Sequence, residues 1–181
     1  PFQRIDVVVT DDTVKMIKVE LDELLPAENL VKQLRLEKFE PANILNDAGE
    51  MLGQIFPERG VLFMFEEAQD TEDSKRLVSH IVIEAVDSAA FALRAENHLH
   101  GPYEKNICDL QFALSIDPEM AQAHWLLADI YLATGQADLA EFSAAEAFKL
   151  DPSNEAYRLR WARALEQLAR YDDAVRETRA V

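Results

Sequence analysis

The sequence predicts an α+β unit over residues 1–86, followed over residues 87–181 by an all-α superhelix of about three helix-turn-helix repeats. Three observations lead to this reading. Asp117-Pro118 recurs as Asp151-Pro152, Gly101 as Gly135 and Ala169, and Ala113 as Ala147 and Val181, always 34 residues apart. Self-similarity at one such period marks stacked repeats, because each unit buries a face that only its neighbour can cover. Upstream, Ile5, Val7 and Val9, and then Ile17, Val19 and Leu21, recur at every second position, the spacing of strands with one covered face.

In the first unit, Asp11-Asp12 stands between the two alternating runs and predicts a hairpin turn. Pro26 fits the first position of a helix carrying Leu30, Val31 and Leu34. Pro41 reads as the start of a second helix, with Ile44, Leu45, Ala48, Met51, Leu52 and Ile55 on one stripe and Pro57 closing it. After Gly60, the run from Val61 through Leu62, Phe63 and Met64 to Phe65 reads as a buried strand. Residues 66–73, an acidic run, read as a solvated loop; without a central Gly or the spaced D-x-D-x-D-G pattern they are not a calcium loop. Ile81, Val82, Ile83 and Val86 favour a strand, with one helix over 74–99 as the alternative. Asp87-Ser88 then offers a helix N-cap, which sets the boundary.

The second unit divides into copies at 87–120, 121–154 and an incomplete 155–181. In the central copy, Leu127, Ala128, Ile130 and Tyr131 recur at helical spacing up to Gly135, a residue that takes the left-handed C-cap conformation without steric cost. Leu139, Ala140, Phe142, Ala144, Ala147 and Phe148 supply the next helix, ended by Asp151-Pro152. Small residues at 128, 140, 144 and 147 allow two antiparallel helices to approach closely.

Leu127, Ala128, Tyr131, Ala140 and Pro152 resemble the tetratricopeptide repeat pattern, with His124 in the usual Trp seat, Trp125 beside it, and Ala144 in an aromatic seat. The upstream copy keeps Leu93, Gly101, Tyr103, Ala113, Leu114, Ile116 and Pro118. It has Asn97 and Asn106 where Tyr and Ala are usual, which predicts looser packing. The third copy keeps Trp161, Ala162, Leu165, Tyr171 and Ala174. Residues 1–86 resemble no family.

Charge excludes some partners. The chain carries a formal net charge of −16, and both units are acidic, so phosphate backbones and anionic membrane are repelled. A lone Cys108 rules out an internal disulfide framework and is compatible with a cytoplasmic setting. No apolar run is long enough for a membrane-spanning helix. The chain opens on Pro1, which leaves a removed leader open.

Catalytic and cofactor signals are absent from the sequence. It contains no Gly-rich phosphate loop, no H-E-x-x-H, no C-x-x-C and no G-x-S-x-G, so no catalytic residue, cofactor or metal is expected. Ser79 and His80 are strand neighbours predicted to point to opposite faces. His98 and His100, two apart on a helix, do not share a face for a metal, and Asp109 beside Cys108 disfavours a thiolate.

The resemblance implies that the first helix of each repeat lines a concave groove. That face comprises Ser88, Phe91, Ala95 and His98, then Gln122, Trp125, Asp129 and Leu132, then Ala156, Leu159, Arg163 and Glu166. Phe91, Trp125, Leu132 and Leu159 form an expected apolar floor, edged by Asp129 and by Arg160 with Arg163. Packing of these side chains on one another or on the first unit is the alternative. The Lys, Asn and Arg ring with which some such repeats hold chaperone tails is missing. Phe91, Ala95, Leu126 and Ala156 occupy those seats, and only Arg160 matches. The expected function is a non-catalytic adaptor that binds a protein or peptide segment at micromolar or weaker affinity. Two other readings stand beside it. One is a homodimer formed through Ala174, Val175, Thr178 and Val181 at the open end of the array. The other is a fragment of a larger enzyme or regulator.

Overall fold

The computed structural model describes residues 2–66, 76–99 and 101–179. It divides into two compact units, Pro1–Ala90 and Phe91–Val181.

In the first unit, β1 (Phe2–Thr10) and β2 (Thr13–Pro26) form the hairpin that the alternating runs predict, turning at Asp11 and Asp12, both at positive φ. α1 (Ala27–Gln33) follows. Then come β3 (Ala42–Leu45), β4 (Met51–Phe56), a 3-10 turn (Pro57–Arg59), β5 (Val61–Phe65) and β6 (Leu77–Glu84). All pairings are antiparallel, in the order β1-β2-β6-β5-β4-β3. Period-two alternation puts Val19, Ile81 and Phe63 in one cross-sheet row. This row is part of a core that includes Ala27 and Leu30 of α1 and Leu36 of the following loop, with Phe39 packed against it. Phe56 meets Phe63 edge-on at 5.5 Å. Burying each such large apolar side chain contributes about 1.5–3 kcal/mol. Gly60 joins the 3-10 turn to β5 at φ +57°. Any Cβ there would fall 2.0 Å from the Glu84 carbonyl oxygen, so this close backbone crossing requires glycine.

The helix expected after Pro41 is instead the β3–β4 hairpin. Asn46 turns the chain: its Oδ1 accepts hydrogen bonds from the Ala48 and Glu50 N–H groups, and Gly49 takes φ +82°. An Asn side chain that mimics a backbone turn, followed by Gly, overrides a helical stripe interrupted by that turn. Leu45 and Leu52 are consequently exposed. The single helix over 74–99 does not form, because Leu77–Glu84 pairs with both β2 and β5. The acidic run lies outside the described residues except for Glu66.

The second unit is built from α2 (Ser88–Asn97), whose first turn lies at the division, α3 (Tyr103–Ile116), α4 (Ala121–Ala133), α5 (Ala137–Leu150), α6 (Glu155–Gln167) and α7 (Tyr171–Arg179). The small residues are packed within the helical unit. Ala113, Ala123, Ala128, Ala140, Ala144, Ala147 and Ala164 have no exposed surface. The first helix pair is tied by polar bonds as well. Arg94 Nε and Nη2 donate to Asp109 Oδ2 and Oδ1 at 2.8 and 2.7 Å, both side chains buried, above the Phe91 ring. Removing one partner of such a buried pair costs about 3–5 kcal/mol. Asn106 does not loosen this pair as its unusual seat predicts: it is buried, and its Nδ2 donates to the His98 carbonyl at 2.7 Å.

α4 and α6 end alike. The Gln136 N–H donates to the Tyr131 carbonyl and the Arg170 N–H to the Leu165 carbonyl, with Gly135 and Ala169 in the left-handed conformation between helix and bond. Glycine takes that conformation freely, whereas alanine is strained there by about 1 kcal/mol. Ala169→Gly is therefore expected to raise the unfolding free energy by about 1 kcal/mol. Urea denaturation followed by circular dichroism checks this; a loss of stability would mean that the turn after α6 is relaxed as alanine.

Candidate functional site

Trp125, Asp129 and Leu132 stand at i, i+4 and i+7 on α4, and Arg160, Arg163 and Gln167 at i, i+3 and i+7 on α6. Helical spacing makes each set one stripe. Five of these six residues line an open cleft of about 360 Å³: Asp129 and Leu132 on α4, and Arg160, Arg163 and Gln167 on α6. Leu99, Ile130 and Ala133 add apolar wall, and Tyr103 adds a phenol. The depth of the floor follows from the neighbouring positions, since Ala128, Ile130, Ala164 and Leu165 are buried in the helix packing.

The polar lip is asymmetric. Arg160 Nε lies 2.6 Å from Asp129 Oδ1, an ion pair across α4 and α6 whose N–H does not point along the contact. The Arg160 guanidinium also sits over the Trp125 ring, 5.6 Å from its centroid, and Tyr157 approaches the same indole at 6.2 Å. Burial raises the Asp129 carboxyl above its usual range, against the lowering pull of Arg160 and Arg163. Burial, and then Asp151, likewise raise the Tyr157 phenol. Arg163 is exposed. One carboxylate thus faces two guanidinium groups in a chain whose net charge is −16.

Of the residues expected to line the groove, Asp129, Leu132, Arg160 and Arg163 come together in this cleft, and Trp125 lies beneath Arg160. Phe91 does not join them. It is buried, its ring 4.6 Å from that of Phe112 and beneath Arg94, so it packs inside the first helix pair. Leu159 projects to solvent outside the cleft lining. Gln167 was legible as the continuation of the Arg160 and Arg163 stripe. Leu99, from the turn after α2, and Tyr103, the first residue of α3, were not, because no helical period reaches across a turn.

The remaining candidates resolve as follows. Ser79 and His80 do not point apart: Ser79 Oγ is 3.0 Å from His80 Nδ1. The register of β6 shifts at this point against both neighbours, and such a bulge breaks the alternation that would separate adjacent side chains. Ser79 Oγ also donates to the Met64 carbonyl at 3.3 Å. His98 Nδ1 contacts the Arg94 carbonyl at 2.9 Å, and His100 lies outside the described residues. Ala174 is buried, which removes it from the open apolar end, and Val181 lies outside the described residues. Among the described residues, no group of three or more His, Cys, Asp or Glu could hold a metal ion, and no helix is long and apolar enough to cross a membrane.

No protein-family profile matches the chain, and no curated protein matches it. Solved structures do. The second TPR domain of Spaghetti (RPAP3), bound to the HSP90 peptide SRMEEVD, matches with a TM-score of 0.50 at 21% identity, over 51% of this chain and 87% of that one. The Arabidopsis OM64 TPR domain gives 0.49 at 22% over 51% and 78%. The MamA protein gives 0.49 at 20% over 51% of each chain, so the match spans about half of MamA. The chain therefore contains a TPR-like fold.

Asp129 supplies a direct check on the cleft's electrostatics. Its folded pKa lies above the reference value of 3.8, so the folded state holds this proton more tightly than the unfolded state. The stability Asp129 contributes is therefore fully present below that value and is lost as pH rises through the raised one. Carboxyl-carbon NMR is expected to place the Asp129 titration above the reference, and Arg160→Met to move it higher still. A titration lowered below the reference would show that the arginines, not burial, dominate the site.

Proposed function

We propose that the protein is a non-catalytic interaction module that holds a segment of another protein in the cleft between α4 and α6. The observation that carries this reading is the cleft's composition: an apolar wall of Leu99, Ile130, Leu132 and Ala133 beside a lip with one more guanidinium than carboxylate. A segment that fits presents an apolar side chain to the wall and a carboxylate to Arg163. An arginine fork is suited to that carboxylate, because it offers several donors in fixed geometry.

A TPR-like fold supports the interaction reading at the level of fold alone. The partner's identity rests on the cleft's chemistry. The wall is small and association itself costs several kcal/mol, so a reversible contact of micromolar order is expected.

The test compares wild type with Arg163→Glu and with Arg179→Glu, the same charge change on α7. Captured proteins are quantified by mass spectrometry, and the segment responsible is titrated by fluorescence anisotropy. Arg163→Glu is expected to weaken binding by about tenfold or more, as loss of a charged hydrogen bond does, while Arg179→Glu leaves it unchanged. Equal binding by all three proteins would remove the cleft from the function. Equal loss in both variants would reduce the contact to net charge.

A further inference from the structure

β1 is a terminal strand of the six-stranded sheet, and β2 is its partner there. The opposite edge, β3, has four residues, whereas β1 has nine. A long open edge presents unpaired backbone donors and acceptors and is usually guarded by Lys, Pro or a covering element. β1 contains neither Lys nor Pro, and Phe2, Ile5, Val7 and Val9 are each more than half exposed. In a chain of net charge −16 this strand is neutral, with Arg4 and Asp6 as its charged residues.

The order of those two charges specifies a partner. Arg4 and Asp6 flank Ile5 on one face of the sheet, where Arg4 stands opposite Glu20 and Asp6 opposite Lys18 of β2, and Arg4 Nε donates to Asp6 Oδ1 at 2.8 Å. Read towards the N-terminus, the same triplet runs acid, Ile, base. An antiparallel copy centred on Ile5 therefore sets each Arg4 against an Asp6, and oppositely charged cross-strand pairs stabilise a sheet. Centring on Asp6 would oppose two carboxylates, and centring on Val7 would leave both charges facing Val8 or Thr10. On the other face, Ile5 and Val7 continue into Val19, Ile17 and Ile83 through the register. The Ile5-centred pairing brings two such apolar strips side by side. The bulge between Phe2 and Arg4 limits regular pairing on one side, so the triplet itself carries the register.

We propose that β1 is a self-association edge: two copies of the chain pair β1 to β1 antiparallel about a two-fold axis through Ile5, with Arg4 of each copy opposite Asp6 of the other. The contact is isologous, the arrangement that closes as a dimer.

Sedimentation equilibrium on the whole chain tests this. Wild type is expected at twice the 20.5 kDa chain mass at concentrations of about 100 µM, within reach of a modest interface. Arg4→Asp and Asp6→Arg, each shown to be folded by circular dichroism, are expected to be monomeric alone, since each opposes like charges across the axis. Mixed in equal amounts they are expected to form a heterodimer, because Asp at position 4 then meets Arg at position 6 and the reverse pair is also satisfied. A misfolded variant could not be restored by mixing. A monomeric wild type, single variants that still dimerise, or a mixture that stays monomeric would each overturn the proposal.

Discussion

The helical unit depends on the close approach of its helices at residues too small to hold them apart. Ala128 on α4, Ala140, Ala144 and Ala147 on α5, and Ala164 on α6 all have no exposed surface. A larger side chain at any of them would separate axes that ridge-into-groove packing brings to about 8–10 Å. The geometry of the cleft follows from this packing. Asp129 is the residue after Ala128, and Arg163 the residue before Ala164, so seating the alanines turns both charged side chains towards the rim of the same cleft. The cleft is thus a by-product of core packing, not a loop structure added to it.

Two arginine–aspartate pairs in this unit show how depth separates structure from recognition. Arg94 and Asp109 are both buried and bonded through two parallel hydrogen bonds, so their charges are satisfied within the first helix pair. Asp129 and Arg160 make a single close contact, with each side chain still partly exposed, and Arg163 adds a second cation without a second acid. Burial raises the Asp129 carboxyl against the pull of both arginines, and in the proposed reading the exposed Arg163 is the group that meets an incoming carboxylate. A closed pair stabilises; an open, unequal one can bind.

Much of this was legible in sequence, for identifiable reasons. The 34-residue spacing placed the helix pairs, because one period repeated three times outweighs local ambiguity. The strands at Phe2–Thr10 and Thr13–Pro26 were legible from alternation and β-branched content, and Val61–Phe65 from a short apolar and aromatic run after Gly60. The stretch at 41–57 misled because Ile44, Leu45, Met51, Leu52 and Ile55 fit either a helical stripe or two short strands, and the arbiter was the turn chemistry of Asn46 and Gly49. Phe91 misled for another reason. Its seat on the first helix of a repeat says which stripe it belongs to, but not that Arg94 and Phe112 close over it. Ser79 and His80 were misjudged because a bulge, which depends on both neighbouring strands, leaves no mark in the local pattern.

The net charge of −16 makes local departures from it informative. The cleft departs from it, since guanidinium groups outnumber the carboxylate there, and so does β1, where the charges cancel. Screening acts on them in opposite senses. In the proposed reading an acidic segment is drawn to the cleft by a local field that salt weakens, whereas two copies of an acidic chain repel over distances beyond about 10 Å, a repulsion that salt removes. The short Arg4 and Asp6 contacts fall inside that distance and are screened less than the repulsion between whole chains. On both proposals, an acidic surface does more than keep such a chain dispersed: it directs attraction to places where the local charge is reversed or absent.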